Sequence, residues 1–120
     1  MSKGRVVSQF VKVAAVSEIP PGSLRAVEAN GRRLLLVNAD GDIHALDARC
    51  PHRGGPLEQG ELWEGMIECP WHHYRYDVRT GKNLYPCNVY PSDLALLQRD
   101  LRPVRRYTVQ IIEDQIWVEV

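Results

Sequence analysis

Short apolar runs alternate with polar positions along this chain, and turn residues cut them at close intervals. "QFVKVAAV", residues 9–16, alternates loosely and is rich in Val, which predicts a first strand. "IPPGS" stops it, because Pro-Pro-Gly cannot continue a ladder. "LRAVEANGRRLLLVNADGDIHALD" then carries two tight-turn pairs, Asn30-Gly31 and Asp40-Gly41, each set between apolar runs. Such pairs are strong hairpin signals, so three antiparallel strands are predicted near 24–29, 32–38 and 42–47. "VRRYTVQIIEDQIWVEV" reads as a further hairpin turning at Glu113-Asp114-Gln115, and "GMIE" as a short strand. Helical spacing is confined to "SDLALLQRD", where Ser92 caps, Leu94, Leu97 and Leu101 share a face, and Pro103 ends the run. The pattern predicts one small all-β domain over residues 1–120, with one short helical insertion and no repeat or linker.

Composition narrows the classes without adding a function. Of 120 residues, 44% are hydrophobic and 25% charged, which fits an ordinary globular domain. Fifteen basic and fifteen acidic side chains cancel, so neither nucleic acid nor an anionic membrane is an expected partner. No run approaches the roughly 18 apolar residues of a membrane span, and the N-terminal apolar patch is interrupted by Lys12. Without a signal-peptide pattern, the expected location is the cytoplasm. Three Cys, an odd number, do not make a disulfide framework.

The chemistry is concentrated in "CPHRGGPLEQGELWEGMIECPWHH", residues 50–73, which holds two of the three Cys and three of the four His. One half is Cys50-x-His52; the other is Cys69-x-x-His72, with His73 directly behind. Pro51 and Pro70 favour a bend after each Cys, and Gly54 and Gly55 permit tight backbone near an ion. Backbone N–H groups in such bends can point at a thiolate or sulfide. Sixteen residues separate His52 from Cys69, enough to leave one loop, form a strand and return in a second. Two thiolates with two imidazoles suit zinc, or the irons of a mixed-ligand [2Fe–2S] cluster. Zinc fingers place like ligands together, whereas each half here is Cys followed by His.

"CPH" with "CPWHHYRYDVRTGK" resembles the Rieske motif, Cys-x-His and Cys-x-x-His followed by an aromatic-Asp-x-x-Thr-Gly segment. The resemblance covers the whole chain and implies antiparallel β-sandwich or barrel-like sheets, with a two-loop cluster-binding subdomain at about 48–75. It implies one [2Fe–2S] cluster, with Cys50 and Cys69 on the inner iron and His52 and His72 on the outer one. It further implies that His73 stands where the family usually has Gly. His ligation raises the potential above that of all-Cys plant ferredoxins.

The subgroup follows from departures. The cytochrome bc type resembles a pattern with an extra Cys in each loop; here those positions are Gly55 and Trp71. A Ser that donates to the cluster in that subgroup is replaced by Tyr74, while Tyr76 matches a family Tyr that can hydrogen-bond a ligand sulfur. Fewer donors imply a potential toward the low end of the Rieske range, about −150 mV upward. Ring-hydroxylating oxygenases need a second iron site, for which only His44 and His73 would remain, so the chain is not expected to be the oxygenase. The resemblance therefore implies a Rieske ferredoxin passing single electrons from a flavin reductase to a terminal oxygenase, itself no enzyme. The alternative is a Rieske-like small subunit of an NADH-dependent nitrite reductase.

Other residues receive plainer readings. His44 in "DIHALD" alternates with Asp42 and is expected to be a surface histidine. Cys87 is expected to be a buried structural thiol, and Pro86 to cover the cluster in a third loop. Trp63, Trp71 and Trp117 are assigned to core or cluster shielding. The docking tip is expected around Pro51, His52, Trp71, His72 and Pro86.

Overall fold

The turn pairs set the first sheet. In the computed structural model, which describes residues 9–51, 54–70, 74–84 and 103–120, the first four strands are β1 (Phe10–Ala15), β2 (Leu24–Ala29), β3 (Arg32–Ala39) and β4 (Asp42–Asp47). Asn30-Gly31 and Asp40-Gly41 all take positive φ, as a two-residue hairpin turn of this twist requires. The predicted strands near 24–29, 32–38 and 42–47 therefore match to within a residue. Three short strands follow: β5 (Glu61–Trp63), β6 (Met66–Glu68) and β7 (Arg75–Asp77). The C-terminal segment supplies β8 (Arg106–Tyr107), β9 (Val109–Ile112) and β10 (Gln115–Glu119).

The strands form three antiparallel sheets, ordered β1-β10-β9, β2-β3-β4-β8 and β5-β6-β7. The C-terminal hairpin turns at Glu113-Asp114 as predicted, but its first arm is divided. Tyr107 pairs with Ala45 in the central sheet, whereas Val109 pairs with Val118 in the terminal one. Tyr107 is the cause: its ring is buried and its hydroxyl donates to Asp47 Oδ1 at 2.6 Å, which holds β8 against β4. The predicted helix at 92–100 lies outside the described residues.

The apolar run in β3 is continuous because both faces of the central sheet are covered. Leu34 and Leu36 pack with Ala45, Tyr107, Ile116 and Val118 against the terminal sheet. Leu35, Val37 and Ala39 point the other way, into a core shared with Ile67, Tyr76, Val78, Cys50 and Cys69. Full burial of each large aliphatic side chain contributes about 1.5–3 kcal/mol. The second core matters for function, because it seats both motif cysteines against a rigid sheet.

Candidate metal centre

Each half of the motif forms a loop, and both loops close in the same way. Cys50 N–H donates to the Gly55 carbonyl and Cys69 N–H to the Tyr74 carbonyl, each at 2.8 Å. The cysteine thus stands first in each loop, and its amide is fixed by the residue five positions on. In the first loop, Gly54 N–H also donates to the Cys50 carbonyl at 2.7 Å. Gly54 takes φ 75°, a conformation that a side chain disfavours.

The elements behind the loops differ. The first leaves β4 through Arg49, which pairs with Pro56 across its base. Leu57 N–H then donates to the Ala48 carbonyl at 2.9 Å, and Arg33 of β3 donates to Glu58 through Nε at 3.1 Å. The second loop joins β6 to β7, with Glu68 paired to Arg75 at its base. Gly60 explains how β6 is placed. A methyl group there would collide with the Glu68 carbonyl, so the chain before β5 runs directly over the residue preceding Cys69.

Both cysteines are buried, 2% and 1% exposed, and neither is in a disulfide. Tyr76, wholly buried on β7, brings its hydroxyl 3.0 Å from Cys50 Sγ. Burial pushes its phenol far above the ordinary value of 10.0, and the hydrogen bond to Cys50 adds to the effect. Tyr76 therefore stays protonated and donates whenever Cys50 is a thiolate. Two buried soft sulfur donors, one with a hydroxyl aimed at it, suit an iron–sulfur centre. His52 and His72, the expected imidazole ligands, lie outside the described residues, as do Trp71, His73, Pro86 and Cys87.

A family model described as the Rieske [2Fe-2S] domain matches residues 9–95. The chain belongs to the Rieske family. The cofactor of this family is a [2Fe–2S] cluster, and the buried thiol pair fits it. The chain is 35% identical over 89 residues to the ferredoxin component of the naphthalene 1,2-dioxygenase/salicylate 5-hydroxylase systems of Ralstonia sp., covering 74% of this chain and 84% of that protein. It is 41% identical over 69 residues to apoptosis-inducing factor 3 of Mus musculus, covering 58% of this chain but only 11% of that relative's length. Among solved structures, the ferredoxin of carbazole 1,9a-dioxygenase from Nocardioides aromaticivorans IC177 superposes with a TM-score of 0.77 at 29% identity, covering 92% of this chain and 97% of that one.

This Rieske domain also holds features that the motif did not announce. The outward face of β5-β6-β7 carries Trp63, Glu68 and Arg75, with the Arg75 guanidinium 4.7 Å from the Trp63 ring centre. Trp63 is thus the seat of a cation rather than a core residue, and only the placement of β5 beside β6 reveals this. His44 also departs from a plain surface histidine. It is half-buried, with Nδ1 3.2 Å from Arg106 Nη2 and Nε2 buried without a partner among the described residues. No helix among the described residues is long and apolar enough to cross a membrane.

Proposed function

We propose that the protein is a one-electron carrier whose Rieske cluster is held by Cys50 and Cys69 on one iron and by His52 and His72 on the other. The observation that carries this reading is the pair of buried thiols, each leading a loop closed by the same hydrogen bond, with Tyr76 aimed at Cys50. When bound, the cluster takes up and releases a single electron. The chain's residues do the rest: the central sheet fixes both thiols, Tyr76 holds its proton on the sulfur of Cys50, and the apolar core excludes water from the inner side.

The partners in this proposal are a flavin reductase, which supplies the electron, and a terminal oxygenase, which receives it. The ferredoxin component of the Ralstonia system and the carbazole dioxygenase ferredoxin support this role. The whole chain, residues 1–120, acts as one such domain in the cytoplasm, where a reducing environment keeps thiols available for iron. The test is reconstitution: holoprotein added to a flavin reductase with NADH and a ring-hydroxylating oxygenase should restore product formation. Co-purification with a large nitrite-reducing subunit, and no transfer to an oxygenase, would favour the alternative of a reductase small subunit.

A further inference from the structure

An edge strand leaves a row of backbone N–H and C=O groups without a ladder partner, and folded proteins protect such edges with charge, Pro or a bulge. Most edges of this fold follow that rule. β1 carries Lys12 and a bulge between Lys12 and Ala14. β2 carries Arg25 and Glu28, β5 carries Glu61, β7 carries Arg75 and Asp77, and β8 carries Arg106. β9 is the exception: Val109-Gln110-Ile111-Ile112 has no charge and no Pro, and its register with β10 is unbroken. Among the described residues, no strand pairs with its outer edge. Ile111 and Ile112 are 48% and 50% exposed, while Ile116, opposite Ile111 on β10, is wholly buried. Glu119 N–H donates to the Thr108 carbonyl at 2.9 Å, so Thr108, Gln110 and Ile112 turn their backbone groups to β10. By the same alternation, Val109 and Ile111 turn theirs outward. An open groove of about 720 Å³ lies there, lined by both residues and by Ile43, His44 and Arg106.

We propose that β9 pairs antiparallel with β9 of a second copy of this chain, across a two-fold axis at Gln110. The sequence around the edge is self-complementary in that sense. Arg105 and Arg106 precede β9, and Glu113 and Asp114 follow it. An antiparallel pair of copies therefore brings the basic end of each beside the acidic end of the other. Both ends are exposed. Arg105 stacks on the Tyr107 ring, 5.0 Å from its centre, and has no carboxylate partner among the described residues. The side chains of Glu113 and Asp114 have no hydrogen-bond or ion-pair partner there either. The outward backbone groups fix the register: Val109 exchanges hydrogen bonds with Ile111 of the second copy, and Gln110 stands opposite Gln110. Val109 and Ile111 then meet on one face as apolar cross-strand pairs, and the interface is the same patch on both copies. The groove lies at the start of β4, whereas the first cluster loop leaves its end, so this pairing makes no use of the cluster loops.

The experiment is sedimentation of the holoprotein from low micromolar to millimolar concentration, with cysteine cross-linking to read the register. The wild type should pass from monomer to dimer over that range. Ile111→Lys should stay monomeric at every concentration with its EPR signal unchanged. Arg105→Glu and Glu113→Lys should each weaken the dimer a few-fold, and the two together should restore it, because the charges again oppose across the axis. Gln110→Cys should form a disulfide-linked dimer under mild oxidation, and Ile112→Cys, which faces Thr108 of the second copy, should not. A wild type that stays monomeric throughout, whatever else the edge binds, would overturn the proposal. So would a dimer that Ile111→Lys leaves intact, or one in which Gln110→Cys fails to cross-link. Cross-linking of Gln110→Cys also decides the matter should Ile111→Lys fail to fold.

Discussion

The two cluster loops share a closing hydrogen bond and little else. The first is bound to the central sheet: Arg33 reaches Glu58 just beyond it, and Tyr76 reaches its leading sulfur from within. The second rests on its own small sheet, with Glu68, Arg75 and Trp63 on the outward face and Gly60 letting the chain pass over its base. The geometry that a ligand sulfur needs is therefore reached by two routes. One loop leaves the central sheet and the other a separate three-stranded sheet, and the two leading cysteines meet in one core. Strand β7 joins them, because Arg75 serves one loop and Tyr76 the other.

The largest effect removes either loop's claim to an iron. Replacing His52 or His72 by Ala should abolish the Rieske EPR signal, because the outer iron loses a ligand. Retention of the signal in either variant would remove that loop from the site. Gly60→Ala should come next and should break the symmetry of the pair. The added methyl has no space against the Glu68 carbonyl, and overpacking of this kind costs about 1–3 kcal/mol. Urea unfolding should show the loss, with faster amide exchange at Cys69 than at Cys50.

Tyr76→Phe should act on the first loop instead. It removes the donor to Cys50 Sγ, so the midpoint potential should fall; a differential hydrogen bond of about 1.4 kcal/mol corresponds to roughly 59 mV for one electron. An unchanged midpoint would mean that the hydroxyl does not donate to the bound sulfur. The smallest effect belongs to neither loop. Burial first, and then Arg106, lowers the pKa of His44 below its ordinary 6.5. The unfolded chain therefore takes up this proton at higher pH than the folded one. The stability that neutral His44 contributes is present above about pH 6.5 and is lost as pH falls toward the folded pKa. His44→Gln should flatten that part of the stability profile in urea titrations at pH 7.5 and 5.5, and leave the EPR signal unchanged.

Much of this was legible in the sequence, for local reasons. Asn30-Gly31 and Asp40-Gly41 announce their hairpins because few residues accept positive φ at both turn positions. The two Cys-Pro loops and Tyr76 stand in a motif with fixed spacing. What escaped depends on neighbours distant in the chain. The division of the C-terminal arm at Thr108 is decided by Tyr107 meeting Asp47. The pairing of β1 with β10 joins opposite ends of the chain and leaves no local signal. Strands β5 and β7 are three residues each, too short for a period to register. The Trp63–Arg75 contact between them therefore leaves no local signal either. His44 is half-buried rather than a plain surface residue because alternation reports only which face a residue occupies, and here Arg106 from another strand covers that face.

The assignment of two thiolates and two imidazoles to one cluster is tested most directly by an EPR-monitored redox titration of the purified protein. A Rieske-type signal should appear on reduction, follow a one-electron curve, and place the midpoint toward the low end of the range of about −150 to +300 mV. A protein that carries zinc and shows no signal on reduction, or one whose midpoint is strongly positive, would contradict the ligand set or the sparse hydrogen bonding proposed for its sulfurs.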